Sequence, residues 1–401
     1  MAAFSFDPSF ALALPTMPIE DVDHTDVQGL VAFYRKYTPL NHLPDSLLGC
    51  GSWGTVYKAT EIETGKVVAV KEAMMKDDPT LVREYTLLKA MRPHKSIMQV
   101  YDVFKCDFHS IVETPVYRMV MPVYDGGDLS QITRNFKANG KKIPEACVFK
   151  WLAQLAEGLD WMHNNSICKV VHRDLKSDNV IIQRTSADHM YDNVKIIDFG
   201  LASSTTHSQD LHVGTLAYQG PEAGHVGTYT DIWALGCILY ELCTLSTLRK
   251  DSPPRSCTGS IDQLIWYQCN PISEVARITD ANHRDCLTLH RAKNATFNSP
   301  NPLPANKYSA LLQYWLDRLL HRDYQKRADA SELISKMCPD ARKMLAIQYS
   351  WVESGHFDRS LHNRYDMPNV PAGWVNTQIN DVLHRYRQLP FCDFSLPYGF
   401  A

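Results

Sequence analysis

The chain has 401 residues, 45% of them hydrophobic and 21% charged, an ordinary globular balance with apolar material enough for a sizeable core. Lysine and arginine number 41 against 44 acidic residues, a net charge of −3. Nothing therefore draws the whole chain electrostatically to nucleic acid or to an anionic membrane, and neither partner is expected.

In chain order, Met1–Pro18 carries no basic leader, so no secretory signal is expected. Residues 1–43 form an N-terminal extension with one short helical candidate, Val27–Tyr37. From 44 onward the texture becomes strand-like. Ser52–Lys58 and Lys66–Ala73, split by the turn Glu63-Thr64-Gly65, predict a hairpin. Thr80–Met91 predicts a short helix, and Gln99–Phe104 and Tyr117–Val123 two further strands. Past Gly126-Gly127 the pattern turns helical. Glu145–His163 places Val148, Leu152, Leu155, Leu159 and Met162 three and four apart, an amphipathic helix. Asp231–Thr244 is apolar around nearly its whole circumference, which predicts a buried helix. Residues 245–307 are proline-rich and loop-like. Tyr308–Leu320 and Ala330–Met337 are further helical candidates. The longest apolar runs, Phe10–Leu14 and Ile232–Tyr240, are far short of membrane-spanning length. Eleven cysteines, an odd number with no Cys-x-x-Cys pair, argue for reduced thiols in a cytoplasmic or nuclear protein.

Three segments carry chemistry. Gly49-Cys50-Gly51-Ser52-Trp53-Gly54-Thr55-Val56 fits G-x-G-x-x-G-x-V between two strands. With no helix after it, a dinucleotide fold or a Walker loop does not fit. Glycines there let backbone N–H groups approach phosphate oxygens, because no Cβ intervenes. Val68-Ala69-Val70-Lys71 follows. A lysine ending an apolar strand can simply snorkel to water. Beside a glycine loop it becomes a candidate cation for phosphates, held by the carboxylate of Glu84. Glu72 is a poorer partner, since strand alternation points it to the other face. The third segment is Val171-His172-Arg173-Asp174-Leu175-Lys176-Ser177-Asp178-Asn179-Val180, followed by Ile196-Ile197-Asp198-Phe199-Gly200.

Taken in order, these motifs resemble the eukaryotic protein kinase family, with H-R-D-x-x-x-x-N and D-F-G after the glycine loop and V-A-V-K. The resemblance implies an α+β, bilobal kinase-like fold: a small β-rich lobe over residues 44–123, a larger, mainly helical lobe over 124–338, and a C-terminal extension over 339–401. It implies that Asp174 orients the acceptor hydroxyl and takes its proton, that Lys176 lies near the γ-phosphate, and that Lys71 with Glu84 holds the α- and β-phosphates. Asn179 and Asp198 become Mg²⁺ ligands, as hard oxygen donors suit that ion. Asp178 reads as a solvent-facing loop residue. By alignment, Met121 is the gatekeeper, the Pro122 carbonyl accepts from the adenine amine, and the Tyr124 N–H donates to the ring. Val56, Ala69 and Ile181 enclose the base. Asp128 contacts ribose or a basic substrate residue.

Gly214–Glu222 resembles the peptide-positioning segment that ends in A-P-E, with Gly220 in place of alanine. Asp231 resembles the aspartate that holds the catalytic-loop backbone, and Arg327 the partner of Glu222. Lys176 and Thr215 resemble serine/threonine rather than tyrosine kinases. The implied function is ATP-dependent phosphorylation of Ser or Thr in protein substrates. Arg173 suggests control by phosphate on Asp198–Glu222, delivered by an activating kinase or by autophosphorylation, with Ser203, Ser204, Thr205, Thr206 and Ser208 as acceptors. A pseudokinase scaffold is the alternative. Gly126–Ile132 faintly resembles NIMA-related kinases. One departure stands out: Lys71 and Glu84 are only thirteen residues apart, so either a helix begins at Thr80 or Glu84 is the wrong partner.

Overall fold

The structure is a computed structural model. It describes residues 27–40, 44–51, 54–73, 80–106, 116–165, 169–185, 191–204, 214–222, 226–247, 308, 310–321 and 323–351.

The small lobe is built on a twisted sheet. Its strands are β1 (Val27–Gly29), β2 (Leu47–Gly51), β3 (Gly54–Thr60), β4 (Val67–Ala73), β5 (Asp102–Cys106) and β6 (Val116–Pro122), in the order β1-β5-β6-β4-β3-β2. Only the β1–β5 pairing is parallel. Helix α1 (Leu30–Lys36) lies on one face of the sheet and α2 (Thr80–Ala90) on the other. The two faces bury separate cores, as period-two alternation requires. Val68 and Val70 of β4 pack with Phe33, Tyr37, Leu40, Phe104 and Val120 under α1. Ala69 joins the core with Leu81, Tyr85, Leu88 and Met119.

The N-terminal stretch departs from expectation. Val27–Tyr37 is not one helix, because Val27–Gly29 pairs with the edge strand β5 (Val27 opposite Val103) before the chain turns into α1. An open strand edge presents unpaired backbone groups, and satisfying them outweighs three residues of helix propensity. The sheet therefore reaches back beyond residue 44. The strand expected at Gln99–Phe104 lies further on, where the register with β6 sets Asp102 opposite Val120.

The large lobe is helical. It comprises α3 (Leu129–Ala138), α4 (Glu145–Asp160), α5 (Thr228–Thr244), α6 (Ala310–Leu319), α7 (Ala330–Glu332) and α8 (Cys338–Trp351), with a small hairpin of β7 (Val180–Gln183) and β8 (Asn193–Ile196). The helix expected over Glu145–His163 is α-helical to Asp160 and widens into a looser turn at Trp161–Asn165. Another wide turn, Leu333–Met337, joins α7 to α8. Helical structure thus runs through position 338 without a break. Ala341, Met344 and Ile347 of α8 are buried in the main core. Helix α5 is buried along almost its whole length from Asp231 to Cys243, in line with its all-round apolar sequence. No helix among the described residues is long and apolar enough to cross a membrane.

Among the described residues, backbone hydrogen bonds tie the small lobe and its linker to the large lobe at two places. Past β6 the chain runs alongside β7, where the Gly126 N–H donates to the Ile182 carbonyl (3.1 Å) and the Ile182 N–H to the Gly127 carbonyl (2.8 Å). Behind α2, the Met98 N–H donates to the Ile196 carbonyl (2.9 Å) and the Ile196 N–H to the Ser96 carbonyl (2.8 Å). These bonds hold β4 and its lysine opposite the loop that follows β8.

Candidate active site

Lys71 sits near the end of β4, paired with Val56 on β3 and Met119 on β6. Its Nζ lies 2.8 Å from Glu84 Oε2 and 2.9 Å from Asp198 Oδ1. The short separation is accommodated because α2 starts at Thr80, which brings Glu84 back over the strand within its second turn. The connection through Asp77-Asp78-Pro79 lies outside the described residues. Glu84 is buried, and its second oxygen accepts from the Phe199 N–H at 3.0 Å. One carboxylate thereby fixes both the lysine and the start of the loop after Asp198. Burial works against a charged Lys71, yet the Glu84 and Asp198 carboxylates outweigh it and raise its pKa. Burial likewise pushes Asp198 up, but Lys71 prevails and holds its carboxyl below the usual range. Breaking such a buried pair costs about 3–5 kcal/mol, because one charge is left uncompensated.

Asp174 is the second centre. Its Oδ1 accepts from the Thr215 N–H (2.8 Å) and hydroxyl (2.7 Å). Its Oδ2 accepts from Lys176 Nζ (2.8 Å) and Asn179 Nδ2 (3.1 Å). Asn179 Nδ2 also donates to the Asp174 carbonyl at 2.8 Å, which commits its amide nitrogen to Asp174. Lys176 additionally donates to Thr215 Oγ1 at 2.9 Å. Asp178 between them is exposed.

The backbone of this loop is strained and braced. Arg173 (φ 71°) and Asp198 (φ 63°) occupy the left-handed region, at a cost of about 1–3 kcal/mol each. Asp231, buried on α5, accepts from the His172 N–H (2.8 Å) and the Arg173 N–H (3.0 Å). Gly214 (φ 90°) is packed so tightly that a Cβ there would run into the Arg173 carbonyl oxygen. This close approach delivers Thr215 to Asp174.

Above the cleft, β2 and β3 pair with Gly49 opposite Val56, Cys50 opposite Thr55 and Gly51 opposite Gly54. Ser52 and Trp53, at the loop tip, lie outside the described residues. Cys50 is exposed, with Sγ 3.6 Å from Thr55 Oγ1. Val56 is half-buried, Ala69 and Met121 are buried and paired across β4–β6, and Ile181 is half-buried on β7. Pro122 ends β6 opposite Val68. The Tyr124 side chain turns away from any nucleotide role. Its hydroxyl accepts from the Gln99 N–H (3.4 Å), Lys195 Nζ lies 5.7 Å from its ring centroid, and burial pushes the phenol up to about 12. Only its backbone is left for the adenine role. Asp128 caps α3, accepting from the Gln131 N–H at 2.7 Å. That cap occupies one of its oxygens.

Glu222 and Arg327 form a buried two-pronged pair at 2.7 and 2.8 Å, with the guanidinium 4.9 Å from the Trp233 ring centroid. Ser203 is buried in a bridge with Val171, which removes it from the accessible phosphate acceptors. Ser204 is half-buried, and Thr205, Thr206 and Ser208 lie outside the described residues.

Sequence reasoning missed two networks. His163 Nε2 lies 2.9 Å from Asp231 Oδ2, so the brace under the catalytic loop is itself fixed. The Ser177 hydroxyl and the Tyr218 hydroxyl both donate to Glu241 Oε2, at 2.7 and 2.6 Å. Burial raises the Glu241 pKa. No local pattern announces a contact spanning 64 residues.

The donor set suits Mg²⁺. Among the described residues no three His, Cys, Asp or Glu side chains gather as a metal cage. Mg²⁺ commonly takes only one or two carboxylates and fills its sphere with phosphate oxygens and water. Asp198, bonded to Lys71, and the Asn179 amide oxygen are hard oxygen donors of that kind.

A family model described as protein kinase domain matches residues 44–337. Probable serine/threonine-protein kinase nek2 of Dictyostelium discoideum is 32% identical over 211 residues, 50% of this chain and 47% of that protein. Serine/threonine-protein kinase Nek3 of Mus musculus is 33% identical over 257 residues, 60% of this chain and 47% of that protein. Cyclin-dependent kinase B2-2 of Arabidopsis thaliana is 32% identical over 235 residues, 56% of this chain and 70% of that protein. The chain thus spans about half the length of the two NIMA-type relatives.

Proposed function

The chain belongs to the protein kinase family, and on that premise we propose that it is an active serine/threonine kinase, moving the γ-phosphoryl group of ATP to Ser or Thr hydroxyls of proteins. The observation that carries the proposal is Lys71, bonded at once to Glu84 and Asp198. That contact joins the glycine-loop side of the cleft to the metal-ligand side.

Phosphoryl transfer needs positioning and charge compensation more than covalent help. Lys71 is the cation for the α- and β-phosphates. Asp198 and Asn179 would hold Mg²⁺, which when bound neutralises charge on the β- and γ-phosphates. In this structure all four lone-pair directions of Asp174 are in use, two by Thr215 and one each by Lys176 and Asn179. An acceptor hydroxyl therefore needs one of them released. Lys176, partly exposed, is the donor that can turn to the γ-phosphate and free a direction on Oδ2. The hydroxyl then gives its proton to Asp174 as its oxygen bonds to phosphorus, and the bond from phosphorus to the ADP oxygen breaks. Arg173 is the proposed partner for a regulatory phosphate from the activation segment.

The test is phosphate incorporation into Ser, Thr and Tyr peptides by wild type and Asp174→Asn, with nucleotide affinity followed by fluorescence. Loss of the base is expected to lower turnover by about 10²–10⁴-fold with nucleotide binding retained. Equal turnover would remove Asp174 from its role. A wild type that binds nucleotide yet labels no peptide would favour the scaffold alternative.

A further inference from the structure

We propose that Phe33 and Arg118 are positioning residues of the nucleotide site, acting on the strand that carries Lys71, and that residues 27–38 hold Phe33 in place. The inference rests on the nucleotide-site reading above.

Glu72 is where the lysine strand and the glycine loop touch. It follows Lys71 on β4, so its side chain leaves the sheet on the opposite face. A Cβ on Gly54 (φ 154°), the last glycine of the loop, would run into the Glu72 carbonyl oxygen. Whatever fixes Glu72 therefore fixes the spacing between the loop and Lys71. Its carboxylate accepts from Arg118 Nε at 2.9 Å, and Arg118 is its direct cross-strand neighbour on β6.

Arg118 is only 2% exposed. Its guanidinium lies 4.9 Å from the ring centroid of Phe33, which is itself fully buried and wedged edge-on against Phe104 at 5.2 Å. An aromatic face over a desolvated guanidinium favours the cation and keeps water from competing for the ion pair.

Phe33 in turn is held at both ends of its segment. On one side, β1 pairs with β5, the Tyr37 hydroxyl donates to Asp102 at 2.6 Å, and Lys36 pairs with Asp102 at 3.1 Å. On the other, the Thr38 N–H donates to the Thr60 carbonyl (2.9 Å) and the Ile62 N–H to the Lys36 carbonyl (2.8 Å). The segment thus spans the sheet from the β5 edge to the β3–β4 turn. All of it precedes the span matched by the family model. This support belongs to the chain's own N-terminal part.

The experiment uses the full chain and reads melting temperature, KM for ATP, KM for peptide, kcat and the Kd of a fluorescent ATP analogue. Phe33→Leu keeps apolar bulk without a π face, Phe33→Tyr keeps the face, and Glu72→Gln weakens the Arg118 pair at a partly exposed site. Leu40→Ala opens the same apolar cluster at a residue outside that segment. Phe33→Leu and Glu72→Gln are expected to raise KM for ATP and the analogue's Kd about fivefold or more, with kcat at saturating ATP and KM for peptide within about twofold. Phe33→Tyr should restore both, and Leu40→Ala should lower the melting temperature with nucleotide affinity unchanged. The proposal is overturned if Phe33→Leu and Glu72→Gln leave nucleotide affinity unchanged. It is equally overturned if Leu40→Ala weakens it as much. If wild type binds the analogue without turning over peptide, the kinase reading fails while the Kd series still decides this one.

Discussion

Thr215→Val is the sharpest probe of the catalytic loop. Valine keeps the branched Cβ, the volume and the backbone N–H that donates to Asp174 at 2.8 Å. It removes one hydroxyl, and with it the 2.7 Å bond to Asp174 and the 2.9 Å acceptor for Lys176. Both lost bonds involve a charged partner, worth about 1.5–3 kcal/mol each before compensation. Asp174 retains three donors and Lys176 retains Asp174, so the net loss should be about 2–3 kcal/mol. In the transition state that is about 30- to 150-fold in kcat. The assay is steady-state phosphorylation of a Ser peptide, with KM for ATP measured alongside. KM for ATP should hold, because Lys71, Glu84 and Asp198 make no bond to Thr215. Thr215→Ser should recover most of kcat. If Thr215→Val turned over within about twofold of wild type, the hydroxyl would be irrelevant to holding Asp174 and Lys176, and the positioning argument would fail.

Lys71→Met leaves Glu84 and Asp198 with no cation between them and should weaken nucleotide binding at least about tenfold, read by isothermal titration calorimetry; unchanged affinity would detach Lys71 from the phosphates. Glu222→Gln leaves Arg327 buried against a neutral partner and should cost about 3–5 kcal/mol of stability, seen as a lower midpoint in urea; an unmoved midpoint would contradict the buried pair. Asp340, buried beside the Trp315 indole N–H at 2.9 Å, has its carboxyl raised by burial from 3.8 to about 7. The folded chain therefore keeps a proton that the unfolded chain has lost, and stability falls as pH rises from about 4 to about 7, by on the order of 4 kcal/mol at most. Asp340→Asn should flatten that slope in melting curves between pH 5 and pH 8, whereas parallel curves for both proteins would show that the group does not titrate in this window.

Chemistry carried on short spacings was legible in the sequence. Asp174, Lys176 and Asn179 share one loop, and Asp198 follows a short hairpin, so local order nearly determines their meeting. Glu84 was legible only as a choice, because thirteen residues do not say whether a helix starts early enough to return. The α2 start at Thr80 decides it. Contacts between distant segments were opaque. Nothing local marks Ser177, yet it donates to Glu241 through a buried network. Glu72 looked like a failed partner for Lys71, yet on its own face it meets Arg118. Val27–Gly29 looked helical, because nothing local reveals the free edge of β5, 76 positions away in register. Local pattern covers one segment at a time, whereas edge pairing and buried charge are settled by what arrives from elsewhere in the chain.

The two lobes divide the physical work unevenly. Under the catalytic loop, Asp231 projects from a helix buried on every side and accepts two backbone N–H groups at 2.8 and 3.0 Å. Bonds of that kind, about 1.5–3 kcal/mol each, are enough to offset a left-handed Arg173. The backbone that carries Asp174 is therefore preorganised, which is what electrostatic stabilisation of a transition state demands. Among its described residues the small lobe has no such buried helix. Its lysine rides on a strand braced by side-chain pairs, Glu84 on the cleft face and Glu72–Arg118 on the other. Losing either brace leaves the Asp174 side intact and moves the cation relative to it. Nucleotide affinity and turnover should for that reason separate under mutation, the first following the small-lobe braces and the second following Asp174, Thr215 and Asp231.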